Sequence, residues 1–261
     1  MNDVLSALGV PLAANVLLLS ARLAALFLMT PVLYAVPLPP SIRVLLVLGW
    51  AAVLALPLAG QPLAVDGLGG LFGALLREAA VGATLGLGVM MAFAGFTLAG
   101  RLLDVQVGFG MGQVFDPLTR TQLPVLTSIL GLAAVLLFFL LEGHHMLLRG
   151  VAFSLERFPL GQPWPVQGAA APVLKQAAGL FTLGFALAAP VVLSLLLVEF
   201  ALGVVARNLP QVNMFVIGMP VKILAGLLAL SAWAAGIDGV TRRLQAEIHG
   251  SWTALFEQRW R

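Results

Sequence analysis

Four stretches of this sequence, residues 44–65, 79–100, 121–141 and 176–198, contain no Asp, Glu, Lys or Arg, and each runs for 21 to 23 residues. A helix rising ~1.5 Å per residue needs about 20 residues to cross a ~30 Å hydrocarbon core. The gaps between charges therefore mark four helical membrane segments. Soluble domains are roughly a quarter charged, whereas this chain is 10% charged and 61% apolar, with a mean hydropathy of +1.04. So few charges cannot cover a water-facing surface, and the sequence predicts an all-α integral membrane protein.

Two further apolar segments are less regular. The first, about residues 4–36, carries Arg22 and Pro31. Proline removes a helical hydrogen bond and clashes with the preceding turn, so the helix is expected to end or kink near Thr30 to Tyr34. The last, about 210–237, contains Pro220 and Lys222, which are expected to split it into two pieces too short to span. Broken backbone at membrane depth persists only where it is buried in protein or lines a wet cavity. Between the segments lie a Gly-rich turn at Asp66 to Gly73 and a Pro- and Gly-rich loop at Phe158 to Pro172. Residues 238–261 form a polar tail to the single helical domain.

Sidedness follows from the cations. Eight lie on the tail's side of a six-span arrangement (Arg77, Arg149, Arg157, Lys175, Arg242, Arg243, Arg259 and Arg261), against Arg43, Arg101, Arg120 and Arg207 on the other. The positive-inside rule places the tail in the cytoplasm. The N-terminus lacks the basic n-region of a cleavable signal, so the first segment is read as retained. The net charge of +3 includes no basic cluster beyond the C-terminal one, and nucleic-acid binding is not expected.

Enzymatic constellations are missing. The sequence has no cysteine, no Gly-x4-Gly-Lys-Ser/Thr and no His-Glu-x-x-His. Glu142, His144 and His145 read as a polar cluster at a membrane interface rather than a metal site. Asp104 and Asp116 read as a surface loop paired with Arg101 and Arg120. Arg22, Glu199 and Lys222 interrupt apolar segments at a cost of ~2.5–3.5 kcal/mol each on insertion scales, so each needs a partner, a cavity or the interface. For Glu199 the candidates are Arg207, two turns away, or a neighbouring subunit. Glycines spaced by four, Gly69/Gly73 and Gly82/Gly86, suit close helix packing, within the chain or against other subunits. No cofactor or metal is expected.

Three stretches carry a resemblance. They are residues 103–117 (LDVQVGFGMGQVFDP) followed by 121–125 (TQLPV), residues 136–145 (LLFFLLEGHH), and residues 202–222 (LGVVARNLPQVNMFVIGMPVK). In order, spacing and motif the chain resembles the FliR/SctT family of type III secretion export-gate subunits, over nearly its whole length. Gly143-His144-His145 and Phe215 to Gly218 are more similar to the flagellar than to the virulence-injectisome branch.

The resemblance implies a non-catalytic pore component of the bacterial inner membrane and flagellar basal body. Its long and broken helical hairpins would pack in a helical hetero-oligomer with FliP-like and FliQ-like subunits, contacting an FlhB-like switch protein. Unfolded flagellar proteins would be the transported substrates. It also implies that Val107, Gly108, Phe109, Gly110, Met111, Gly112, Phe115, Asp116 and Pro117 belong to a loop that plugs the lumen. Glu142, His144, Glu199, Arg207, Pro210, Gln211, Asn213, Gly218, Pro220 and Lys222 would serve assembly and wall packing. The residues suit a plug independently, because glycine permits backbone rearrangement while Met and Phe form an adaptable apolar seal. The competing class, a small-molecule secondary transporter, predicts paired breaks in an inverted repeat. The breaks near Pro31 and Pro220 have no such matching sequence.

Overall fold

The computed structural model describes residues 2–31, 38–58, 67–109, 124–162, 170–209, 211, 213–235, 246 and 250. Every regular element among them is helical. In chain order they are α1 (Asn2–Met29), α2 (Pro40–Ala55, extended by a 3-10 turn Leu56–Leu58), α3 (Gly67–Val107), α4 (Val125–Leu140), α5 (Gly143–Arg157), α6 (Ala170–Asn208) and α7 (Met214–Ala234). Five of these stretches are long and apolar enough to cross a membrane, and a sixth is formed if the bent pair α4 and α5 counts as one. With its apolar composition, the chain is an all-α integral membrane protein.

The helices place the charges rather than stopping at them. α3 is 41 residues long and α6 is 39, about 60 Å each and twice the hydrocarbon thickness. The gap 79–100 is thus the middle of α3, and Arg77, Glu78, Arg101 and Asp104 are helical residues of its flanks. The expected turn at Asp66 to Gly73 is helical from Gly67, whose φ of +72° starts the helix in a conformation open to glycine. α1 ends at Met29, with the Thr30 amide donating to the Leu26 carbonyl.

The expected split at Pro220 does not occur. α7 runs unbroken from Met214 to Ala234 with Pro220 inside it, as α1 contains Pro11 and α6 contains Pro190. One lost backbone bond is tolerated in a long apolar helix, where no water competes for the remaining ones. α6 instead ends at Asn208 and α7 begins at Met214, with the Val216 and Ile217 amides donating to the Asn213 carbonyl.

Contacts divide the chain into two compact units. The first comprises Met1–Met91, Phe138–Gln176 and Ile248–Arg261, the second Ala92–Leu137 and Ala177–Glu247. In the first unit the buried stripe of α1 is Asn15, Leu18, Leu19, Arg22, Leu23 and Leu26, and that of α3 is Ala74, Glu78, Val81, Leu85 and Val89. Both follow helical periodicity, so Arg22 and Glu78 occupy core positions. A Cβ on Gly82 would overlap the Arg22 carbonyl, and one on Gly86 would lie 2.7 Å from the Leu26 oxygen. α1 and α3 therefore meet backbone to backbone, as the Gly82/Gly86 spacing predicts. Gly69 and Gly73 have nothing within 4 Å of that position.

In the second unit the buried stripes are Phe96, Ala99, Leu103 and Val107 on α3, Leu126, Leu130 and Ala134 on α4, and Leu183, Leu187, Val191 and Leu195 on α6. A Cβ on Gly95 would touch Leu183 Cδ2 at 2.8 Å, and one on Gly184 would touch Leu98 Cδ2 at 2.7 Å. Opposite faces stay apolar and exposed, including Phe181, Phe185, Leu197 and Phe200 on α6.

Candidate functional site

The sequence points to the glycine-rich stretch after α3, and the second unit shows how its base is built. Val107 closes α3 with its side chain buried, and the space beside it exists because Gly226 of α7 has no Cβ to meet Val107 Cγ2, 2.8 Å away. Gly108 follows with φ +102°, a left-handed conformation that glycine adopts at least cost, and its amide donates to the Asp104 carbonyl at 3.3 Å. Met219 Sδ would lie 3.5 Å from a Cβ at Gly108. Phe109 is half-buried. Gly110, Met111, Gly112, Phe115, Asp116 and Pro117 lie outside the described residues.

The chain returns at Pro124, and Asp104 receives it. Asp104 Oδ1 accepts from the Leu126 amide at 2.8 Å, while Oδ2 accepts from the Thr127 amide at 2.9 Å and from the Thr127 hydroxyl at 2.7 Å. These amides belong to the first turn of α4, where four N–H groups lack intrahelical partners and the helix dipole favours an anion. Asp104 is thus the cap of a helix that begins 21 residues later, and it is 4% exposed. One turn below, a Cβ on Gly100 would overlap the Thr127 backbone. Both ends of the intervening segment are consequently held at one place, α3 against α4.

This corrects the surface-loop reading of Asp104. Its neighbour Arg101 is exposed and takes no part in the cap. Sequence reasoning missed the cap because it looked for opposite charge rather than for unpaired amides. The signal was present, since Asp104 shares a helical face with Leu103, Gly100 and Val107.

The charges within apolar segments resolve differently from the first expectation. Glu199 Oε1 on α6 accepts from Lys222 Nζ on α7, not from Arg207, which is exposed. Twenty-three residues separate the pair, which bridges the two arms of a helical hairpin. Gln211 and Asn213 are exposed at its tip, Pro210 lies outside the described residues, and Gly218 is buried under Leu202. Pro220 is exposed on α7.

Arg22 is paired with a residue that sequence reasoning passed over. Its Nε donates to Glu78 Oε2 at 2.6 Å, one terminal nitrogen to Ser154 Oγ at 2.9 Å and the other to the Phe158 carbonyl at 2.9 Å. Glu78 Oε1 accepts from the Gly161 amide at 2.9 Å. The charge-free run 79–100 puts Glu78 at the edge of a span, yet Glu78, unlike the adjoining exposed Arg77, falls on the buried stripe.

Glu142 breaks the α4–α5 segment. It stands at φ +56°, accepts at its carbonyl from the His145 and Met146 amides, and faces His145 Nδ1 across 3.3 Å through its exposed carboxylate. The next residue must be small, since a Cβ on Gly143 would overlap the Phe138 ring. The His144 ring centroid lies 6.0 Å from that of Phe139 and 4.2 Å from that of His145. Among the described residues no three His, Asp or Glu side chains are grouped so as to share a metal ion.

Comparison with known proteins agrees over nearly the full chain. Residues 13–247 match the family described as bacterial export proteins, family 1. A protein of Bacillus subtilis named flagellar biosynthetic protein FliR is 37% identical over 64% of this chain and 66% of its own length. The Escherichia coli protein of that name is 31% identical over 66% of each chain. The Caulobacter vibrioides protein so named is 29% identical over 91% of this chain and 94% of its own.

Proposed function

The chain belongs to the bacterial export proteins, family 1, and from that premise we propose that it is a non-catalytic subunit of the flagellar type III protein export gate. In this reading it sits in the bacterial inner membrane at the flagellar basal body, packed with FliP-like and FliQ-like subunits and contacting an FlhB-like switch protein. Unfolded flagellar proteins are the cargo, and the segment Val107 to Pro117 closes the lumen between passages.

The observation that carries the plug assignment is the Asp104 cap. A plug must yield to a passing chain without being pulled out of the wall. Its ends therefore need a rigid seat, and Asp104 supplies one by joining the last turn of α3 to the first turn of α4. Between those ends the sequence places Gly110 and Gly112 beside Met111 and Phe115. The many exposed apolar residues on α2, α6 and α7 support burial against lipid and further subunits.

The test is ion conductance of membranes carrying the assembled complex. Deleting Gly110 to Phe115 should preserve complex yield and make the membrane leaky to small ions, and Asp104→Ala should give a smaller leak. Unchanged conductance in the deletion at normal yield would remove the plug assignment.

A further inference from the structure

Gly226 lies inside α7, where glycine is a poor helix former, and it faces the end of α3. A Cβ built there would stand 2.8 Å and 3.2 Å from the two methyl carbons of Val107 and 3.5 Å from its Cβ. Val107 is 1% exposed. Being β-branched it has one strongly preferred rotamer in a helix, so it does not readily turn aside. Gly226 is thus a notch filled by the last side chain of α3.

The same face of α7 makes two more contacts in the second unit. Met219, Lys222 and Gly226 are spaced by three and four and share one side of the helix, while Leu224, Leu227 and Leu228 are exposed on the other. Met219 lies beside Gly108, with Sδ 3.5 Å and Cε 3.7 Å from where a Cβ of Gly108 would stand. Lys222 Nζ donates to Glu199 Oε1 of α6, which sets how α7 is turned about its own axis. Asp104 and Gly100 meanwhile hold α3 to the first turn of α4. The end of α3 is therefore gripped by α4 and α7 together.

We propose that Gly226 is a positioning residue for closure of the gate: through Val107 it fixes the step from Val107 to Gly108, and α7 stays joined to α3 while a chain passes. This inference rests on the export-gate reading and its plug, and adds to it by giving α7 a part in the seal as well as in the wall.

The experiment uses the full chain in the assembled complex, with the Gly110 to Phe115 deletion as reference. Gly226→Val should keep complex yield and raise ion conductance severalfold. Adding Val107→Ala, which empties the notch, should return conductance to that of the unaltered protein, a rescue that a general packing defect would not show. A second test adds no bulk. The sequence has no cysteine, and 3.5 Å between the two Cβ positions suits a disulfide. Val107→Cys/Gly226→Cys should therefore cross-link under copper phenanthroline and export substrate equally well oxidised or reduced, with the cysteine-free protein as control. Failure to cross-link would contradict the contact. If the deletion leaks but Gly226→Val at normal yield does not, or if oxidation stops export and reductant restores it, the positioning role is refuted and the plug stands. If the deletion itself does not leak, the plug assignment falls and the positioning role falls with it.

Discussion

Arg22 and Glu78 stand 56 residues apart in sequence and 2.6 Å apart in space, with side chains only 1% and 2% exposed. Each guanidinium nitrogen of Arg22 and both carboxylate oxygens of Glu78 have a partner, drawn from α1, α3, α5 and the turn at Phe158 to Gly161. A buried ion pair is weak evidence for net stability, because desolvation offsets much of the attraction. Its sharper consequence is for registry. α1, α3 and α5 can bring these groups together in one alignment only, and any slip leaves a charge in an apolar interior.

Removing one partner should therefore cost far more than removing both. Arg22→Met or Glu78→Leu alone is expected to lower stability by about 3–5 kcal/mol, seen as a drop in thermal midpoint in detergent. The double substitution should lie well above the sum of the two losses. Strict additivity would show that the pair is not coupled.

The glycines divide into two groups that spacing alone cannot separate. Gly82→Ala forces the Arg22 backbone aside and should cost about 1–3 kcal/mol. Gly73→Ala meets no atom and should stabilise α3 by about 0.5–1 kcal/mol. Thermal midpoints of the two variants check this directly, and equal effects would contradict the close approach of α1 and α3.

The Glu199–Lys222 pair is partly exposed, at 39% and 21%, so its contribution within the chain is small. Its expected role lies in assembly. Lys222→Leu leaves Glu199 uncompensated among apolar exposed neighbours and should reduce the yield of purified complex and motility together, with partial recovery in Glu199→Leu/Lys222→Leu. Normal complex yield and normal motility in Lys222→Leu would show the charge to be incidental.

How far the sequence could be read depended on the kind of signal. Charge-free gaps located the apolar helices because burying an unpaired charge in hydrocarbon is costly wherever it occurs. They did not locate helix ends, since a charge can stay inside a helix when it finds a partner, as Glu78 and Asp104 do within α3. Pro220 misled for a related reason: the rule that proline ends helices is calibrated in water, where a freed carbonyl is readily solvated. Partners were hardest to foresee. Glu199 pairs 23 residues away and Asp104 caps a helix across 22 and 23 residues, and such choices are made by tertiary packing. Of the candidate site, the seat at Asp104 was illegible in the sequence, and the glycine-rich centre from Gly110 onward lies outside the described residues.

The proposed function makes this chain one subunit of a hetero-oligomeric gate. Native mass spectrometry tests it most directly, on the tagged protein coexpressed with its neighbouring genes and purified in mild detergent. The account predicts a single copy of this chain together with several copies of two other small hydrophobic proteins. A lone monomer or a homodimer under those conditions would contradict it.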